Sequence, residues 1–260
     1  MKNKSRFDNQ DIIIEKKLGI TGDYQYKALQ SRNFLQANWH HNKLTVMRQL
    51  LDLYKPKTVL DLGTGSGNFE LLFAKRIEKI VGVDYNQEAL VFLECELKKR
   101  KIKNVKLINQ NIVDLEKEKE LGKFDMIFII DVLEHLKGIP VDNLITNFKK
   151  WLNIGGKIVV VTPNYGGFWP FIERFIIDKF TSLPHLEDIQ HVTKFNSKKL
   201  IYIFKKHGYQ LCKINTFNTF SFLFPTKFLS TLVLNLELKL VLPFGNLILS
   251  VFELDKKTER

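Results

Sequence analysis

The sequence predicts an α/β fold, with a mostly parallel sheet covered by helices on both faces. Three observations carry that prediction. Residues 58–67 read Thr-Val-Leu-Asp-Leu-Gly-Thr-Gly-Ser-Gly, an apolar run that breaks into three alternating glycines. Asp84 follows 17 residues after the last of these glycines and closes Ile80-Val81-Gly82-Val83-Asp84. Beyond it, apolar runs of strand length alternate with stretches of helical spacing. That alternation is the pattern of a parallel sheet, whose ligands bind at the carboxyl ends of the strands.

The elements follow in order. Residues 1–10 are polar and read as a tail. Residues 24–53 place Leu29, Phe34, Leu35, Trp39, Leu44, Met47 and Leu51 on roughly helical spacing. Residues 1–55 are therefore a tail and helical cap, ahead of a domain from 56 to 260. Residues 59–62 suit a strand buried on both faces. Gly63, Gly65 and Gly67 make a turn that tolerates positive φ and lets a ligand touch the backbone. Residues 69–77 continue as a helix and 80–84 as a second strand. Asn86 is placed to cap a helix through Arg100. Strands at 105–108 and 124–130 flank a loop at 111–115. A helix at 141–152 ends at the turn signal Asn153-Ile154-Gly155-Gly156, and Pro163 stops a strand at 157–162. Residues 197–207 read as a helix, and 209–217 and 246–254 as the last strands. Two aromatic and apolar insertions, 163–195 and 218–245, emerge near the rim of the ligand site. In the second, positions 228, 229, 232, 233, 236 and 240 share one helical face. That segment is expected to cap the acceptor pocket, since Pro225, Lys227, Glu237, Lys239 and Pro243 interrupt it well short of the roughly 20 residues of a spanning helix.

The glycine spacing narrows the ligand. A dinucleotide fingerprint requires Gly-x-Gly-x-x-Gly, but Asn68 or Glu70 occupies the last position in either register. Instead Asp61 precedes Gly-x-Gly-x-Gly. A carboxylate there repels a pyrophosphate and attracts an ammonium, while Asp84 suits two ribose hydroxyls. S-adenosylmethionine carries an α-ammonium, a sulfonium and a ribose. In these residues the chain resembles the class I S-adenosylmethionine-dependent methyltransferases, over about residues 58–162 and weakly to 211. Leu121-Gly122-Lys123-Phe124-Asp125-Met126-Ile127 resembles the family's approach to its fourth strand. Asp131-Val132-Leu133-Glu134-His135-Leu136, Leu152-Asn153-Ile154-Gly155-Gly156 through Thr162-Pro163-Asn164, and His191-Val192-Thr193-Lys194-Phe195-Asn196 resemble the ubiquinone-type O-methyltransferase subgroup.

The resemblance implies a Rossmann-like, seven-stranded sheet with the last strand antiparallel. It implies that Asp61, Gly63, Gly65 and Gly67 hold the methionine end and Asp84 the ribose. Tyr85 then packs on the adenine. Asn111 stands where the family usually has an Asp, and its side-chain oxygen can accept from the adenine amino group. Asp114 is the rival there, and Ile112 and Asp131 complete the cofactor set. A hydroxyl acceptor also needs a base. His135, past the fourth strand, is the first candidate, because an imidazole is matched to that role. His191 is second and His185 third, whereas His40 and His41, beside Trp39 on the cap helix, read as surface positions ahead of substrate-facing ones. A histidine that merely orders the loop is the competing reading for His135. No metal site is expected.

The chain has 260 residues, enough for one α/β domain with insertions. Its net charge is +12, from 40 basic and 28 acidic residues, with the lysines spread along the whole length. That spread favours compositional bias over a nucleic-acid groove. Cys95 and Cys212 form no metal or redox spacing and read as reduced thiols. The first residues carry no apolar stretch of signal-peptide length and no run of 18 apolar residues occurs, so neither a signal peptide nor a spanning helix is expected. The expected setting is cytoplasmic. The apolar insertions read as a lid over a lipophilic acceptor, as a peripheral contact with an anionic membrane, or as segments that pack on each other and on the cap. The expected reaction is methyl transfer from S-adenosylmethionine to an oxygen, ahead of a nitrogen, of a small-molecule or lipid acceptor. No Asp/Asn-Pro-Pro-aromatic motif follows the fourth strand and no Pro-Cys nucleophile exists, which disfavours methylation of adenine amines or cytosine C5. The rivals are an RNA methyltransferase, suggested by the charge, and a cofactor-binding partner protein without catalysis. The intact Asp61, glycines and Asp84 argue against the latter.

Overall fold

The computed structural model describes residues 21–118, 121–136, 138–172 and 191–255. Seven strands form one sheet: β1 (Thr58–Leu62), β2 (Lys79–Asp84), β3 (Val105–Asn109), β4 (Phe124–Ile130), β5 (Leu152–Pro163), β6 (Tyr209–Phe217) and β7 (Leu247–Leu254). Their order is β3-β2-β1-β4-β5-β7-β6. The first five are parallel, and β7 runs antiparallel to both β5 and β6. The expected α/β sheet and its antiparallel last strand are both present.

β1 lies inside the sheet, between β2 and β4, and its alternating side chains feed two cores. Leu60 and Leu62 pack with helices α5 (Ile139–Trp151) and α7 (Ser197–Lys206) on one face. Val59 packs with α2 (Phe34–Tyr54), α3 (Asn68–Phe73) and α8 (Lys227–Leu240) on the other. A strand buried on both faces must be apolar throughout, which is why its one acid, Asp61, stands out. From β1 the chain winds one way to β2 and β3, then crosses back to β4. The crevice at that reversal, at the carboxyl ends of β1 and β4, is where an α/β sheet places its ligand. The remaining helices are α1 (Tyr24–Leu29), α4 (Gln87–Lys99) and the single turn α6 (Trp169–Ile172). Asn86 caps α4 as expected, accepting from the amides of Glu88 and Ala89.

Three elements depart from expectation. The helix predicted over 24–53 is two helices, because Asn33 starts α2 afresh by accepting from the Leu35 amide at 3.0 Å. The helix expected over 69–77 gives way after Phe73 to a 3-10 turn at Ala74–Arg76. The turn expected at 153–156 is absorbed into β5, which begins at Leu152 with a register shift against β4. Gly155 takes φ 72° there, and Asn153 donates to Asp125 at 2.8 Å, so an irregular strand accommodates the turn residues.

The second insertion is also placed differently. α8 packs on α2 and β6 and contributes no residue to the lining of the crevice, while Phe222, earlier in the same insertion, reaches Trp39 of α2. Its buried side is Ser230, Leu234 and Glu237, and its apolar stripe faces outward, with Phe228 77% and Leu240 68% exposed. The inward face is fixed by Glu237, whose carboxylate accepts from the amides of Thr219, Phe220 and Ser221 and from the Ser221 hydroxyl. Four donors held by one buried acid tie the start of the insertion to its helix. Both cysteines are free, as expected, and exposed. No helix among the described residues is long and apolar enough to cross a membrane.

Glu237→Leu strands those four donors. Urea denaturation is expected to show a loss of about 3 kcal/mol, with Glu237→Gln losing about half as much.

Candidate active site

The glycine turn is built against its neighbours' backbone and side chains. The amides of Gly63 and Thr64 both donate to the Val83 carbonyl, at 2.8 and 3.1 Å. Gly67 starts α3 at φ 75°, and a Cβ there would lie 2.1 Å from Leu93 of α4. A Cβ on Gly63, at φ 86°, would lie 2.3 Å from Val132. Only glycine fits either place. The turn then hands an amide to the acid of β2: Gly65 donates to Asp84 Oδ2 and Asn86 to Oδ1, both at 2.8 Å. Burial pushes the Asp84 carboxyl up, against the pull of these amides. The Tyr85 amide also bonds this carboxyl. A carboxylate accepts about four hydrogen bonds, so Asp84 keeps capacity for a ligand hydroxyl.

The crevice beside this turn is lined by Asp61, Gly63 and Thr64 from the end of β1 and by Ile130 and Asp131 from the end of β4. Gln25, His40 and Lys43 close it from the cap helices. Asp61 is buried, and burial together with the Glu70 carboxyl raises it well above the carboxylate range. Asp131 takes φ 54° and forms an ion pair with Lys43. Burial opposes the charge on Asp131, but the Lys43 ammonium outweighs it and holds the carboxyl low. Burial and the same ammonium push the His40 imidazole down to about 3, so it stands neutral in the crevice. Gln25 Oε1 accepts from the Ser66 amide at 3.2 Å, which lays α1 on the glycine turn.

A second group of side chains lies just past β4. Glu134, His135 and His191 bring their ligand atoms within 4.8 Å of one another. Glu134 is buried; its Oε2 accepts from the Thr162 hydroxyl at 3.0 Å and its Oε1 has no partner. Burial and the charge of Asp131 raise its carboxyl to about 7. His191 shares a 2.8 Å hydrogen bond with Tyr165 through Nδ1, and its ring centroid lies 5.4 Å from that of His135. Two imidazoles and a carboxylate can serve acid–base chemistry, and the same donor set can hold a divalent cation. The expectation of no metal site therefore does not follow from the side chains present. An aromatic wall adjoins the pair. Trp169 lies 6.2 Å from His191 and 5.2 Å from Trp39, which in turn lies 5.2 Å from Phe222.

The predicted residues thus fall into three neighbouring groups. Asp61, the glycines and Asp84 surround the turn, and Asp131 faces Asp61 across the crevice. His135 and His191 stand together past β4. Tyr85 is half-buried after β2, and Asn109 donates to its carbonyl at 3.0 Å. Asn111 caps a 3-10 turn, accepting from the Val113 amide, and Ile112 is buried beside it. His185 lies outside the described residues. His40 was expected on the surface and instead faces the crevice, and Gln25, Lys43 and Glu70 were not singled out. Nothing local marks Gln25, His40 or Lys43, which reach the crevice from helices ahead of β1, whereas Glu70 lies in the first turn of the helix that follows the glycine turn.

A family profile described as "Methyltransferase domain" matches residues 35–214. Among curated proteins, an (S)-coclaurine N-methyltransferase of Papaver somniferum is 31% identical over 43% of this chain and 33% of its own length. A tRNA U34 carboxymethyltransferase of Actinobacillus succinogenes is 33% identical over 41% of this chain and 32% of its own. The chain spans about a third of the length of these relatives. Among solved structures, the N-methyltransferase NodS of Bradyrhizobium japonicum WM9 with S-adenosyl-L-homocysteine superposes at TM-score 0.61 and 14% identity, over 95% of this chain and 98% of that one. An S-adenosylmethionine-dependent methyltransferase of Clostridium acetobutylicum gives 0.59 and 14%, with the same coverage. At these identities the structures establish the fold.

Asp84→Ala is expected to weaken S-adenosylmethionine binding by about 1.5–3 kcal/mol, the scale of hydrogen bonds to a charged group. Calorimetric titration reads this directly; unchanged affinity would remove Asp84 from the ribose site, and equally tight NAD binding would reject the glycine-spacing argument.

Proposed function

The chain belongs to the methyltransferase-domain family, with S-adenosylmethionine as its cofactor, and from that premise we propose that it transfers the methyl group to an oxygen of a small or lipophilic acceptor. Asp61 and the glycine turn hold the methionine end, and Asp84 the ribose. Tyr85, Asn111 and Ile112 hold the adenine. Asp131 orders the far wall through its Lys43 pair. Methyl transfer requires in-line attack on the sulfonium methyl, so the protein mainly positions the two reactants and excludes water.

The observation that carries the oxygen acceptor is the cluster of Glu134, His135 and His191 beside Asp131. A hydroxyl must lose its proton as it attacks. His135 is the exposed member of the cluster and takes that proton. His191, oriented by Tyr165, is the second base. A divalent cation on the same three residues would lower the hydroxyl's pKa instead, and addition of a chelator separates the two routes. The aromatic wall of Trp169, Trp39 and Phe222 favours a planar or lipophilic acceptor. Trp169 Nε1 is buried without a partner and offers that acceptor one hydrogen bond. Among the described residues Lys43 is the one lysine that lines the crevice, and Asp131 engages it, which ranks RNA below a small acceptor. Nitrogen acceptors stand second.

The outward stripe of α8 favours contact with an anionic membrane surface. Phe228, Leu229, Leu232, Leu236 and Leu240 are exposed, and Lys227 and Lys239 bound the helix. The helix's single acid, Glu237, points inward, so the outer face carries no negative charge.

Once a methyl-transfer screen over phenolic quinone precursors, extracted lipids and RNA supplies the acceptor, His135→Ala should lower turnover by about a hundredfold or more while leaving cofactor affinity unchanged. An unchanged rate would return His135 to a structural role and promote His191. Sedimentation with phosphatidylserine vesicles tests the surface. Replacing Leu232 and Leu236 together by Glu should weaken vesicle binding by about tenfold or more, given the transfer energy of two leucines. Equal pelleting of variant and parent would exclude the stripe.

A further inference from the structure

Glu70 lies in the first turn of α3 and is fully buried, yet neither of its carboxyl oxygens has a hydrogen-bond partner. Thr64 Oγ1, on the glycine turn, is also buried without one. Both converge on Gly82 in β2, where a Cβ would stand 3.1 Å from Glu70 Oε1 and 3.1 Å from Thr64 Oγ1. Gly82 is the register partner of Asp61 on β1. Paired residues on neighbouring strands face the same side of a sheet. The missing side chain at Gly82 is therefore the space that Glu70 fills, next to Asp61 and under the crevice.

An unpartnered buried carboxyl is costly, and two adjacent ones cannot both ionise. No cation offsets them from the crevice side. Among the described residues that line it, Lys43 of α2 is paired with Asp131 after β4 and His40 of α2 is neutral. Asp84, at the end of β2 and outside that lining, adds only negative charge. Glu70 itself does not line the crevice, so it acts through Asp61.

We propose that Glu70 is a positioning residue for the cofactor's ammonium: with Asp61 it forms a carboxyl pair that shares one proton in the empty crevice and releases that proton to solvent when the ammonium binds. The inference rests on the cofactor reading given above. The ammonium keeps its own protons; the pair goes from one carboxylate and one carboxylic acid to two carboxylates, and the released proton passes to buffer. Burial raises both carboxyls, and mutual repulsion raises Asp61 further, which keeps a proton on the pair near neutral pH. Binding favours the ionised pair, so affinity rises as pH rises through the range in which the empty pair still holds its proton.

Calorimetric titration of the full chain with S-adenosylhomocysteine, which carries the same ammonium, tests this. At about pH 6.5, heats in phosphate and Tris should differ by the buffers' ionisation enthalpies times a released fraction of about half to one proton, and Kd should fall three- to tenfold between about pH 6 and about pH 7.5. Glu70→Gln should still bind, but with buffer-independent heats and only the pH slope of the ligand itself, which both proteins share. Buffer-independent heats in the parent protein would overturn the inference while leaving the cofactor assignment intact. So would proton release that survives Glu70→Gln. Absence of any binding by the parent would reject the inference and the cofactor assignment together. The buffer comparison needs no variant, so it decides even if the substituted protein fails to fold.

Discussion

The site depends on how closely one stretch of backbone approaches its neighbours. The turn after β1 donates two amides to Val83 and one to Asp84, while Gly63 and Gly67 stand where a Cβ would strike Val132 and Leu93. A single side chain in that turn would push it off β2, and the acid at the end of β2 would lose the amide that holds it. The helix α3 would also start in another direction, because its cap is the left-handed Gly67. Position and orientation of the site follow from these two missing side chains.

Charge is then distributed unequally around the crevice. Asp61, Glu70 and Asp84 make the side next to the glycine turn acidic, and burial raises all three carboxyls. The opposite side is internally neutralised by Lys43 and Asp131. A ligand with positive charge at one end is drawn to the first side, and the second leaves room for a neutral acceptor. The Glu134, His135 and His191 cluster sits behind the neutralised side. Its buried glutamate stays close to the protonation threshold because burial, and then the charge of Asp131, oppose its ionisation.

The insertions shape the periphery. α8 completes the layer over β6 and α2, and the turn before it locks onto α2 through Asn38, which donates to the Phe224 carbonyl at 2.6 Å. Phe222 from the same turn reaches Trp39, and Trp39 reaches Trp169, so two distant insertions meet in one aromatic wall near His191. A helix that buries Ser230, Leu234 and Glu237 and exposes leucines inverts the usual relation between polarity and burial. The inversion holds because Glu237 finds four donors inside, which no leucine could satisfy.

The sequence by itself determined the sheet, its glycine turn and its acids, because those features are local. A strand buried on both faces needs an unbroken apolar run, and positive φ with close approach needs glycine. An acid that ends a strand next to such a turn falls within a few residues of it. The family likeness legible in residues 58–162 supplied the antiparallel last strand. Tertiary structure alone decided the rest. Whether the stripe of α8 faced in or out depended on Glu237 finding donors 16 to 18 residues away. His40 and Lys43 reached the crevice only because α2 crosses the carboxyl ends of β1 and β4. The pairing of Glu70 with Asp61 required the register that sets Gly82 beside Asp61. Helical spacing cannot report such placements, since a face of a helix becomes a wall of a site only when something else is folded against it.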